Sequence, residues 1–232
     1  MKVDIYSSGS AGNLVVLNDE VIIDAGVYRP VAGKALLITH HHTDHVKELL
    51  KFGGIPVYTV EEVRDKLEGR FPYLSATAVE YGQMFVVKGD DDFYYITPIR
   101  LKHDVPCCGF DIVYKDERIL YATDFNEIVD HVELSDYTAL YLECNNTLNP
   151  LCLVDAFFGD DIPKDEFHRR KSFQNHCNAD YLIGLFKRCG YSEDNRCEIP
   201  LTLMHKSTYY YLANSERIVE LCKIANVKNP LL

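Results

Sequence analysis

The stretch Ala35-Leu36-Leu37-Ile38-Thr39-His40-His41-His42-Thr43-Asp44-His45 decides how this chain is read. Its first five residues have the composition of a short buried strand, and that strand runs straight into a histidine cluster. In extended chain, side chains two apart share a face, so His40 and His42 point to the same side while His41 faces away. If the backbone then turns into a helix, Asp44 and His45 address a neighbouring point from another direction. Four candidate ligands packed this closely can serve two adjacent cations. Imidazole and carboxylate donors suit zinc, manganese or iron.

Working outward, residues 3–6 read as a strand, followed by the small-residue loop Ser7-Ser8-Gly9-Ser10-Ala11-Gly12-Asn13. Residues 14–17 and 21–24 form a hairpin pattern around Asn18-Asp19-Glu20. Beyond the cluster, 46–52 reads as a helix, 55–58 as a buried strand and 60–68 as a charged helix. Strand patterns then dominate at 78–81, 84–87, 93–96, 99–102, 109–114, 118–122 and 137–143. Helical patterns follow at 165–173, 179–189 and 214–225, with an apolar strand at 201–204 between the last two. Strands and helices interleave without a linker or a repeat, so residues 1–232 are expected to form one α/β domain.

Composition narrows the function. A chain of 232 residues with 47% hydrophobic and 25% charged residues can bury a sizeable core as an ordinary globular protein. Its net charge of −11 argues against a broad basic surface for gripping duplex nucleic acid. Bound divalent metals could still make a small positive mouth. No basic segment followed by an apolar stretch opens the chain, and no apolar run approaches membrane-spanning length; a cytoplasmic protein without a membrane partner is expected. Eight cysteines contain no Cys-x-x-Cys pair and read as free thiols in or near the core. Cys189 and Cys197 are the one pair considered for a small zinc or redox site.

His40-x-His42-x-Asp44-His45 at the end of an apolar strand resembles the signature of the metallo-β-lactamase superfamily, and further candidates stand in the family's order. His103 resembles the third histidine, Asp124 in Tyr121-Ala122-Thr123-Asp124-Phe125 the bridging aspartate, and His205 the final histidine. The resemblance implies a four-layer αββα sandwich with two divalent metal ions, zinc foremost and manganese or iron as alternatives. One metal would be held by His40, His42 and His103, the other by Asp44, His45 and His205, with Asp124 bridging.

The opening loop with Ile22-Ile23-Asp24-Ala25-Gly26, together with Glu143-Cys144-Asn145, Asn175-His176-Cys177-Asn178 and Met204-His205-Lys206-Ser207, is similar to the YycJ/WalJ-type exonuclease-like branch. The chain departs from it where Asn146-Thr147 follow the Glu-x-Asn and where Asn175 and Cys177 flank His176. The segment between Gly26 and Ala35 is also too short for the branch's usual helix, and 124–205 leaves no room for a large inserted domain.

Asp44 and His176 are the candidate catalytic residues; Ser8, Asn13, His176 and Asn178 are candidate substrate contacts. His176 reads either as a phosphate-contacting or leaving-group histidine or as the cap of the helix that follows. Ser8, Ser10 and Asn13 fit a site lining and a tight turn equally well. Asp24 reads as an orienting residue for a ligand loop. His131 and His168 read as surface residues, and Tyr209-Tyr210-Tyr211 as core residues before a base-stacking rim. The implied activity is phosphodiester hydrolysis by a hydroxide activated by two metals, on nucleic-acid ends or nucleotides. Cyclic-nucleotide hydrolysis, thioester, lactone or β-lactam hydrolysis, and a non-catalytic metal-stabilised module are the alternatives.

Overall fold

The computed structural model describes residues 1–147, 175–207 and 211–230. The helix expected at 165–173, Cys152, His168, Tyr209 and Tyr210 lie outside these residues.

Strand β1 (Val3–Ser7) pairs antiparallel with β2 (Leu14–Leu17), and β2 with β3 (Val21–Ile23). Asn18 and Asp19 carry this second hairpin at φ 49° and 59°, the left-handed pair that matches strand twist in tight hairpins. Strand β4 (Ala35–Leu37) joins parallel to β3, followed by the single-turn helix α1 (Thr43–Val46). Strand β5 (Val57–Val60), helix α2 (Glu61–Arg70) and β6 (Ala76–Val79) complete a six-stranded sheet in the order β1-β2-β3-β4-β5-β6.

The second sheet begins with β7 (Phe85–Lys88), β8 (Phe93–Lys102), β9 (Cys107–Tyr114) and β10 (Glu117–Ala122), each antiparallel to the next. The two-residue strand β11 (Glu127–Ile128) returns to the edge of β8. Parallel strands β12 (Ala139–Glu143), β13 (Cys197–Met204) and β14 (Ala225–Val227) extend the far side, with helices α3 (Ala179–Arg188) and α4 (Glu216–Ile224) between them in sequence.

Alternation along single strands builds the layers. In β10, Ile119 and Tyr121 enter a core shared with β2–β5, whereas Leu120 and Ala122 enter a second core with Leu182, Phe186, Ile218 and Leu221 of α3 and α4. On the outer side of the first sheet, Val63 and Leu67 of α2 are fully buried. The result is the αββα sandwich that the resemblance implies.

Three expectations need correction. The segment 46–52 is not one helix: α1 ends at Val46, and a separate 3₁₀ turn covers Leu49–Phe52. The Glu48 amide between them donates to Ala25 O at 2.9 Å and so leaves the helical path. The strands at 93–96 and 99–102 are one strand. Pro98 does not interrupt it, because Pro98 O faces away from β9 and accepts from Gly82 N, so its missing N–H falls on the open edge beyond β7. Ala225, expected to end the helix 214–225, instead opens the strand β14 that closes the sheet.

Candidate metal centre

Strands β8, β10, β12 and β13 run in the same direction, so their C-terminal ends converge on one rim of the second sheet. His103 follows β8, Asp124 stands two residues after β10, Glu143 ends β12 and His205 follows β13. Across the core, β4 delivers His40 to the same rim, and Cys108 N donates to Thr39 O at 3.0 Å to tie the two sheets there. Asp24, Asp124 and His205 hold φ values of 62°, 59° and 49°. Such left-handed backbone is disfavoured for side-chain-bearing residues and persists where surrounding structure enforces it.

The sequence-predicted ligands come together. His40, His42 and His103 form one group of potential ligand atoms within 4.8 Å of each other; Asp44, His45 and His205 form another. Asp124 lies between them. It groups with His40 and His45 on one side and with Glu143, His176 and His205 on the other. His40 Nε2, Asp124 Oδ2 and His205 Nε2 are buried without a hydrogen-bond partner. His45 Nε2 approaches Asp124 Oδ2 to 3.1 Å, but without hydrogen-bond alignment, as donors aimed at a common point do. Buried polar atoms left unpaired are costly, and these fit divalent cations held by nitrogen and carboxylate oxygen.

Outer contacts fix which nitrogen faces the cluster. Asp24 Oδ2 sits 2.8 Å from His45 Nδ1, and Asp24 also accepts from the Thr39 amide at 2.9 Å. Asn175 O lies 3.0 Å from His103 Nδ1. Glu143 Oε1 lies 3.0 Å from His205 Nδ1 and 2.6 Å from His176 Nδ1. In each ring Nδ1 is taken, which leaves Nε2 for the centre. Glu143 Oε2 accepts from the amides of Phe125 at 2.8 Å and Cys177 at 3.2 Å, so this fully buried carboxylate binds four neighbours.

Electrostatics follow from this packing. Burial works against charge on His45, but Asp24 and Asp124 outweigh it and hold the imidazole well above its ordinary range. Burial also opposes charge on His176, yet Glu143 and Asp124 raise it to about 9. His40 goes the other way, lowered by burial and by neighbouring His45. Burial would raise the Asp124 carboxyl, but His205 and His45 hold it well below the usual range.

The remaining candidates take definite places. Asn13 is buried, with Nδ2 2.8 Å from His45 Nε2 and 3.4 Å from Asp44 Oδ2. Ser8 Oγ accepts from the His205 amide at 2.8 Å. His176 stacks on His205 with ring centroids 4.9 Å apart. Asn178 caps α3 by accepting from Tyr181 N at 2.8 Å, so the cap belongs to Asn178 and not to His176. His41 joins no ligand group, and His131 is exposed. Tyr211 is buried. The described cysteines are free thiols, and none belongs to a potential metal group, Cys189 and Cys197 included. Cys107 packs beneath the centre with its sulfur 3.9 Å from His40 Nδ1. Glu143 and Asn145 were legible only as a motif; Asn145 Nδ2 lies 2.9 Å from His205 O and supports the same histidine.

Comparison with known proteins places this geometry. The model of a family described as "Beta-lactamase superfamily domain" matches residues 23–147. Among solved structures, the metallo-beta-lactamase fold protein YhfI from Bacillus subtilis is 17% identical, with 98% of this chain and 95% of that chain covered at a TM-score of 0.65. A diphosphatase from the PhnP family is 16% identical over 99% and 95% of the two chains, at a TM-score of 0.62. The short form of human tRNase Z is 17% identical over 90% and 94%, at a TM-score of 0.57. A search of curated proteins returns no match.

Proposed function

The chain belongs to the beta-lactamase superfamily, and on that premise we propose that it is a metal-dependent hydrolase of phosphodiesters, acting on nucleic-acid ends or nucleotides. The observation that carries the proposal is His176: Glu143 fixes its Nδ1 at 2.6 Å, beside the ligand cluster, and its ring stacks on His205. When protonated, a histidine held there can donate from Nε2 to a phosphate oxygen or to a departing alkoxide. Two structural neighbours named as a tRNase Z and a diphosphatase lean the same way, as does the similarity of the motifs around Glu143, His176 and His205 to the exonuclease-like branch.

His40, His42 and His103 would hold one divalent ion and Asp44, His45 and His205 the other, with Asp124 shared; zinc suits this donor set best, ahead of manganese or iron. Bound there, the metals supply Lewis acidity towards a phosphoryl oxygen and lower the pKa of water. The chain's own work is orientation. Asp24, Glu143 and the Asn175 carbonyl set the imidazole rings, Asn13 steadies Asp44 and His45, and His176 meets the developing negative charge. A net charge of −11 suits a short strand end or a small nucleotide better than a long duplex.

The test is a substrate panel: a chromogenic bis-aryl phosphodiester, 5′-phosphorylated single-stranded DNA, cyclic nucleotides and a thioester. Turnover of one or more phosphodiesters, abolished by chelation, is the expected result. Cleavage of the thioester alone would sink the phosphodiesterase reading and leave the hydrolase.

A further inference from the structure

A cavity of about 760 Å³ opens between the segment 126–133 and α3, on the outer side of the second sheet. None of its lining residues belongs to a potential metal group. Its volume is that of a small-molecule site. The walls are mixed: Ile128, Val132 and Leu185 supply buried apolar surface, and Lys102, Tyr181 and Arg188 supply donors. Each carboxylate around it has a partner, and Glu127 is the one paired with a cation among the described residues. Glu127 pairs with Lys102 at 3.3 Å, Asp130 accepts from the Arg100 amide at 2.6 Å, and Glu133 accepts from Ser135 Oγ at 3.2 Å.

Two donors are left over. Arg188 lies over the Tyr181 ring, 5.6 Å from its centroid, and has no carboxylate partner among the described residues. The Tyr181 hydroxyl accepts from Ile128 N at 2.8 Å, and its own proton meets no acceptor among the described residues. A guanidinium over the face of a phenol ring, next to an apolar wall, matches an anionic oxygen group attached to an apolar body. We propose that this cavity is a second ligand site, separate from the metal centre, for a small organic acid: its carboxylate on Arg188 and Tyr181, its apolar body against Ile128, Val132 and Leu185. The assignment is independent of the reaction at the metal centre.

Calorimetric titration of the full chain with 1-naphthoate tests it. One site per chain is expected, with affinity unchanged when the metals are chelated. Arg188→Gln should weaken binding by about tenfold or more, Arg188→Lys should recover part of the loss, and Tyr181→Phe should weaken it by a smaller factor. Arg188 is exposed at the end of α3, so thermal melting of Arg188→Gln should match the parent. Absence of a binding heat, equal affinity in Arg188→Gln, or binding lost on chelation would each overturn the assignment.

Discussion

Glu143 contacts His176 and His205, 33 and 62 residues further along the chain, and both rings owe their orientation to it. Outer contacts of this kind commonly govern metal affinity by about 10–100-fold. Glu143→Gln keeps the shape but removes the charge; metal affinity measured by competition with a chromogenic chelator should fall within that range. His176→Ala should separate from it. Its metal content should stay near that of the parent, while phosphodiester turnover should fall by about 10²–10⁴-fold, the usual contribution of a general acid or base. Near-normal turnover in His176→Ala would return this histidine to a packing role. The contrast also explains what the sequence could disclose about the site. His40 to His45 announce themselves because strand periodicity and ligand chemistry coincide within six residues. Glu143 carries no such local signal: its function lies in distant partners, His205 brought by the parallel pairing of β12 and β13 and His176 by the bridge between Asn146 and Asn178.

Strands and turns position the centre by close backbone approach. A Cβ on Gly26 would lie 1.6 Å from Asp44 O, and Asn13 N donates to that same carbonyl at 2.8 Å. Gly26→Ala must therefore push the Asp44–His45 turn away from the opening loop. A loss of about 1–3 kcal/mol or more is expected from such overpacking, measured by urea unfolding, together with a fall in metal occupancy. Unchanged stability would mean that the loop is looser than its hydrogen bonds imply. The hairpin at Asn18-Asp19 and the strand into His40 were legible because turn chemistry and apolar runs act locally. Continuity of β8 through Pro98 was not, since whether a proline breaks a strand depends on which edge its nitrogen faces. Strand β14 was hidden for a similar reason: Ala225-Asn226-Val227 has no strand pattern of its own, and only its pairing with β13 makes it one.

Taken as a whole molecule, the metal-free chain concentrates imidazoles and carboxylates at one rim, and its stability should follow their protonation. His176 is raised from 6.5 to about 9 on folding. A histidine raised in the folded state stabilises fully below its unfolded value, and the contribution is lost as pH rises through the folded value. The stability difference between metal-free parent and metal-free His176→Gln should therefore be largest below about pH 6.5 and shrink towards pH 9. Denaturant midpoints across that interval check it; a difference that grows with pH would show that Glu143 does not hold an imidazolium. Among the described residues no helix is long and apolar enough to cross a membrane, and the rim is the feature around which both sheets are organised.

Zinc titration of the metal-depleted full chain, followed by bis-aryl phosphodiester turnover at each step, tests the central claim most directly. Turnover that is absent without metal and reaches its plateau at two zinc ions per chain is the predicted result. Full turnover without bound metal would contradict the account, as would a plateau at one ion.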